Sequence, residues 1–213
     1  FGAYGAWTDG PWTIAGSLSY GANRVSTERA IGFGAINKTA TAAYWTHAVS
    51  LSGETAYAFS LSDRTGLAPL LTLDAGWAGH GDFTEKDASA LSLTARSESR
   101  TRFDAGLGLA LTHSVLTESG RLALEGRAVW EHAFADVVPD QSLTLAGSPA
   151  PFTVLGPDAG RNRLRIGTGL TWTLSGDTTI RARYDGLFSD AQTGHAAPTA
   201  AEAAALRAWD LPV

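Results

Sequence analysis

The chain has 213 residues, a formal net charge of −5 and neither cysteine nor methionine. Without cysteine there is no disulfide framework and no thiolate metal site, and an acidic balance argues against a nucleic-acid partner, because phosphate binding needs a basic surface. Charged residues make up only 17% of the chain while glycine reaches 24, little charge and much glycine for a soluble domain.

Alternation of apolar and polar residues runs along most of the chain, the pattern of strands whose two faces meet different phases. In chain order, Trp12, Ile14, Leu18 and Tyr20 form one apolar set, and Trp45, Val49, Leu51, Tyr57 and Phe59 the next. Leu71, Leu73 and Trp77 follow, each set interleaved with small or polar residues. From Phe103 the odd positions read Ala105, Leu107, Leu109 and Leu111, against Arg102, Asp104, Gly106, Gly108 and Ala110. Leu122, Leu124, Ala128 and Trp130 alternate with Arg121, Glu125, Arg127 and Glu131. Leu164, Ile166, Leu170 and Trp172 alternate with Arg163, Arg165, Gly167 and Gly169, and Ile180, Ala182 and Tyr184 with Arg181, Arg183 and Asp185. These sets predict about eight strands, several longer than is usual in globular domains.

Short turns are expected at Asp9-Gly10, Ser62 to Gly66, Glu118 to Gly120 and Ser175 to Asp177. Long connections are expected between them, from Ala22 to Ala40, Gly79 to Ser89 and Ala135 to Asn162. Strict alternation of short and long connections is the asymmetry of outer-membrane barrels, with tight periplasmic turns and longer extracellular loops. Trp12, Trp45, Trp77, Trp130 and Trp172 fall near strand ends, where an interfacial aromatic girdle would place them. No apolar run approaches the roughly 18 residues of a transmembrane helix. The expectation is an all-β, antiparallel, up-and-down transmembrane barrel.

More specific text lies at the strand ends. Gly81-Asp82-Phe83-Thr84-Glu85 leads towards Gly106-Leu107-Gly108-Leu109, and Trp130-Glu131-His132-Ala133-Phe134-Ala135-Asp136 precedes a loop holding Pro139 and Phe152-Thr153-Val154. Ala159-Gly160-Arg161-Asn162 and Arg183-Tyr184-Asp185-Gly186 follow. In order and spacing these blocks resemble the C-terminal β-domain of autotransporters (type V secretion), from Phe1 to about His195. The resemblance implies a twelve-stranded outer-membrane barrel threaded by an α-helix that links to an N-terminal passenger. It also implies insertion by the barrel assembly machinery, passage of the passenger to the cell surface, and a monomer. The blocks correspond to the fourth to eleventh strands of such a barrel.

Two departures are expected. The chain opens in mid-pattern with Phe1-Gly2-Ala3-Tyr4, as a fragment of a longer precursor would, with no signal peptide before it. Residues 1–195 read as the barrel segment and 196–213 as an atypical Ala-rich tail, in which Pro198 to Arg207 predicts a short helix with proline in its first turn. The ending Asp210-Leu211-Pro212-Val213 lacks the final aromatic strand that the resemblance calls for. A barrel short of strands leaves open edges, so the chain alone is not expected to close as the family's barrels do.

Catalysis has weak candidates. His47, His113 and His132 share the apolar parity of their strands and read as interfacial anchors rather than as the base of a phospholipase. His80 with Asp82, and Asp136 with Asp140, read as solvated loop groups rather than as a barrel protease's water-activating set. No HExxH, GxSxG or P-loop spacing occurs, the five histidines are dispersed, and no cofactor is implied. Asn37-Lys38-Thr39 matches a glycosylation sequon without evident use in a bacterial barrel. The charges on the polar parity stand out instead: Arg102, Asp104, Arg121, Glu125, Arg127, Glu131, Arg163, Arg165, Arg181, Arg183 and Asp185, with Arg161 at a strand entry and Glu54 and Asp74 on earlier strands. Such residues are expected to line a lumen as cross-strand pairs, and to contact a helix or passenger in transit. A porin-like or adhesive barrel without passenger, a soluble β binding module and a barrel enzyme are the alternative readings.

Overall fold

The computed structural model of the chain describes residues 1–118, 120–148, 150–174 and 179–196. Among these residues there is no α-helix, and the one helical element is a 3₁₀ turn at Ser89–Leu91. Strand β1 (Gly2–Asp9) turns through Gly10-Pro11 into β2 (Trp12–Phe33), which returns through Gly34-Ala35 as β3 (Ile36–Tyr57). Gly10 and Gly34 have φ of +53° and +56°, the conformation that a two-residue hairpin turn can place at its first central residue and that glycine adopts without strain. After a break at Ala58, β4 (Phe59–Ser62) continues β3, and both pair with β5 (Thr65–His80).

The connection after β5 contains two short strands, β6 (Phe83–Thr84) and β7 (Leu93–Ala95), before the long β8 (Glu98–Thr117) and β9 (Gly120–Ala133). A second long connection contains β10 (Asp140–Leu145) and β11 (Pro151–Leu155). It leads to β12 (Asn162–Leu174), β13 (Thr179–Ser189) and β14 (Thr193–Ala196). The main sheet runs β1-β2-β3-β5-β8-β9-β12-β13-β14 with every neighbouring pair antiparallel. Among the described residues β1 and β14 stand at opposite ends of this path. The expected helix at 198–207 and most of the expected tail lie outside the described residues.

Register fixes which side chains share a face, because directly paired residues point the same way and successive residues point opposite ways. Leu71, Leu107, Trp130, Leu164 and Phe188 form one continuous row across five strands. On this apolar face Leu107, at 61% exposure, and Leu109, Leu111, Leu18, Leu51 and Trp45 are all exposed. The small core sits on the opposite face, where Ala56, Ala68, Leu70 and Val129 are buried together. Exposed leucines outside and buried small residues inside invert the arrangement of a soluble domain, and match a sheet with lipid against one face.

The connections depart from expectation in two ways. Residues 22–40 form no loop: β2 and β3 stay paired from Trp12↔Tyr57 to Phe33↔Ile36, well beyond the aromatic level of Tyr20 and Trp45. Above the aromatic level both faces of a strand meet water, so the alternation that marks the lower part of the hairpin fades and residues 22–40 read as a loop. The other two long connections combine in a four-stranded sheet of order β11-β10-β7-β6. Its backbone pairing joins the connections, with Leu143↔Ala95 and Leu145↔Leu93 in register.

This upper sheet is tied to the β2–β3 hairpin. Ile31, Ala40 and Ala88 are buried together, with Leu91 packed on them, and Thr41 and Lys86 exchange backbone hydrogen bonds. Arg29 grips Glu85 through both carboxylate oxygens and also donates to the Leu91 carbonyl at 2.9 Å. The Leu93 amide donates to Glu85 at 2.8 Å. The Arg29 hydrogen bonds hold the Glu85 carboxyl below the usual carboxylate range, against the opposing effect of burial, and the Leu93 amide adds to the lowering. A depressed carboxylate stabilises the fold above its unfolded pKa of about 4.3, and that contribution is lost as pH falls through the lower folded value. Protease resistance of the 81–97 connection is therefore expected to decline as pH drops below about 4. In Glu85→Gln it is expected to be lower at neutral pH and nearly flat with pH; a mutant profile that still follows the wild type would remove Glu85 as the cause.

Candidate functional site

All the charged residues singled out on the polar parity lie on one face of the main sheet. The row Glu54–Thr72–Gly106–Glu131–Arg163 crosses five strands in direct register. Asp74 pairs directly with Asp104, and Arg102 lies two residues before Asp104 on β8. On β12 and β13, Gly167 pairs with Asp185, Gly169 with Arg183 and Thr171 with Arg181. Gly167 and Gly169 are flanked on the other side by Arg127 and Glu125, and Thr173 by Arg121.

This face is concave. Arg127 on β9 forms an ion pair with Glu54 on β3, across the intervening β5 and β8. Three strand spacings in a flat sheet come to roughly 14 Å, a separation that curvature must shorten for the two side chains to meet. Gly106 and Gly108 lie beneath the closing side chains. A Cβ at 106 would meet Thr72 Oγ1 at 2.5 Å and Val129 Cγ1 at 2.9 Å, and one at 108 would meet the Ala128 carbonyl at 2.5 Å.

Beside this packed patch is a buried ion cluster. Arg163, 8% exposed, donates to Asp104 Oδ2 at 2.6 Å and lies 3.6 Å from Glu131. Asp104 also accepts from Arg102, and Glu131 lies 3.2 Å from Arg165. Asp104 and Glu131 are 1% and 2% exposed. Buried carboxylates are tolerated only when paired and hydrogen-bonded, and the interleaved arginines supply that pairing from β8 and β12, although both of Asp104's arginines go to Oδ2 and its Oδ1 is buried without a partner among the described residues. Arg183 pairs with Asp185 on its own strand. Arg121 donates to the Ser114 hydroxyl at 3.0 Å. Asp74 makes no hydrogen bond or ion pair among the described residues, and Arg161 turns to the carbonyls of Ala133 and Ala135. Sequence reasoning found the charged face but missed Thr72, whose hydroxyl is buried without a partner among the described residues. It also missed Val129, at 1% exposure the most completely buried apolar side chain of the cluster in that face.

The histidines go elsewhere. His47 meets the Tyr20 hydroxyl at 2.8 Å and His113 the Thr65 hydroxyl at 2.9 Å. His132 pairs with Asn162 at 2.9 Å, on the apolar face. Its neighbours two residues away in the chain are Trp130 and Phe134, and Ala105 stands opposite, so no hydroxyl nucleophile accompanies the pair at those positions. His80 contacts Gln141 at 2.8 Å and links the two long connections. Asp140 pairs with Arg100, and Asp82 accepts from the Ser97 amide. Among the described residues no group of three or more metal-ligating side chains converges.

An inverted antiparallel sheet with a charged concave face narrows the possible families. The family profile described as Autotransporter beta-domain matches residues 1–185. The chain belongs to this family. Among curated proteins none matches the chain. The family is one of outer-membrane translocator domains rather than of catalysts. In this autotransporter β-domain the aromatic residues of the apolar face cluster at two levels. Trp12 and Tyr57 pack with ring centroids 4.9 Å apart at the turn end of β2. Tyr20 with His47, and Phe103 with Phe134, lie at the second level, with centroids 6.1 and 5.6 Å apart. Two aromatic levels enclosing a leucine-rich band are the girdles of a membrane barrel.

Proposed function

We propose that this β-domain anchors an N-terminal passenger in the bacterial outer membrane and exports it to the cell surface. The concave charged face carries the reading: a translocator needs a hydrated, polar interior, and here Arg102, Arg165, Arg181 and Arg183 remain exposed on that face. In this reading the face lines the lumen and contacts the linker helix and the passenger in transit. Arg163, Asp104, Glu131, Arg127 and Glu54 hold the wall in shape, while Asp74, Arg121, Glu125, Arg181, Arg183 and Asp185 present charge to the occupant. The barrel assembly machinery inserts the protein, and it works as a monomer without cofactor or catalytic group.

The test is protease accessibility of the passenger on intact cells expressing the full-length protein. Exposure at the surface is expected with the native β-domain, and retention in the periplasm when β8 is disrupted. A passenger that reaches the surface regardless, or a gene with only a signal peptide before the barrel, would transfer the reading to a porin-like barrel.

A further inference from the structure

The four-stranded upper sheet has two unlike faces. Phe83, Ala95, Leu143 and Phe152 share one face by register. Its inner end meets the barrel, where the Phe83 ring stacks on Tyr44 with centroids 4.3 Å apart. The other face carries hydroxyls: Thr84, Thr94 and Thr144 lie in one row, and Ser142 and Thr153 in the next. An open concavity of about 710 Å³ lies over this face, lined by Thr94, Arg96, Ser142, Thr144, Gly147 and Ser148 among others. Among the described residues no acidic or aromatic side chain lines it.

Two features define the concavity. Its rim is fixed by backbone, with the Ala146 amide donating to the Ser92 carbonyl at 2.9 Å and the Gly147 amide to the Ala90 carbonyl at 2.8 Å. Gly147 allows that approach, because a Cβ there would lie 2.8 Å from Ala90 Cβ. Arg96, the one cation in the lining, is exposed and makes no hydrogen bond or ion pair among the described residues.

We infer that this concavity is a binding site for an anionic saccharide, its sulfate, phosphate or carboxylate held by Arg96 and its hydroxyls by Thr94, Ser142, Thr144 and Ser148. A guanidinium presents a planar donor fork that suits such an anion. Serine and threonine hydroxyls both donate and accept, as sugar hydroxyls do. Among the described lining residues there is no carboxylate to repel the anion. The site belongs to the upper sheet and does not depend on translocation.

The experiment is calorimetric titration of the full-length protein in detergent with a sulfated heparin disaccharide. Maltose and inorganic sulfate serve as the two controls. Binding of the sulfated disaccharide is expected, with maltose and sulfate each at least about tenfold weaker, a difference of about 1.4 kcal/mol. Arg96→Glu is expected to abolish binding, and Ser142→Ala with Thr144→Val to weaken it about tenfold, with heat-dependent gel mobility unchanged in both. No binding, sulfate binding as tightly as the disaccharide, or full binding by Arg96→Glu would each overturn the site. Passenger display in Arg96→Glu, expected to be normal, keeps this result separate from the translocator reading.

Discussion

Replacing Arg163 with alanine is expected to be the most damaging single charge deletion in the barrel wall. Arg163 is the buried cation between two carboxylates that are themselves almost wholly buried, Asp104 and Glu131. The remaining partners, Arg102 and Arg165, are 56% and 48% exposed and cannot follow the carboxylates inwards without leaving water. Removing one partner of a buried pair costs about 3–5 kcal/mol, because the other charge stays buried; the retained arginines place the expected cost near about 3. Arg102→Ala, which removes a half-exposed partner, is expected to cost below about 1 kcal/mol. The measurement is the denaturation midpoint of the full-length protein in detergent, followed by tryptophan fluorescence. Equal losses in the two variants would mean that burial does not govern the cluster.

Gly108→Val is expected to block assembly outright. The new Cβ would stand 2.5 Å from the Ala128 carbonyl, 2.7 Å from Val129 Cγ2 and 3.0 Å from Val129 Cα. Two of these atoms are backbone in the neighbouring strand, so relief requires β8 and β9 to separate rather than a side chain to rotate. Ordinary overpacking costs about 1–3 kcal/mol, and displacing a central ladder adds to that through its hydrogen bonds. The outcome is expected to be loss of the heat-modifiable species on gels, with retention of the passenger inside the cell. Gly126→Val is the control: a Cβ at 126 meets nothing within 4 Å, and normal mobility is expected. If both variants fold, the close packing of the inner face is not a constraint.

The membrane-level strands were legible in the sequence because lipid and interior impose opposite chemistry on successive residues. Leu107, Leu109 and Leu111 against Gly106, Gly108 and Ala110 state that difference residue by residue. The charged residues came with it, since parity alone assigned Glu54 and Arg127 to one face. Parity could not tell that these two meet across two strands, because contact depends on curvature, and curvature comes from small residues such as Gly106 and Gly108 acting together. Above the membrane both sides of a strand are wet and the signal weakens. The extension of β2 and β3 beyond Tyr20 therefore read as a loop, and β6, β7, β10 and β11 were not foreseen. Their pairing joins residues 93–95 with 143–145, a separation that local pattern does not encode.

The uninterrupted β2–β3 ladder bears on the order of events during biogenesis. Its 22-residue strands are joined by only Gly34 and Ala35, so closing the hairpin fixes almost no loop, and each further pair adds to a ribbon already begun. By contrast β9 and β12 cannot meet until the whole stretch between Ala133 and Asn162 has been gathered. An emerging polypeptide can thus complete this ribbon from purely local contacts. It would then be one template edge against which later strands register, and a pause in insertion would leave such a ribbon, rather than a collapsed globule, waiting at the membrane.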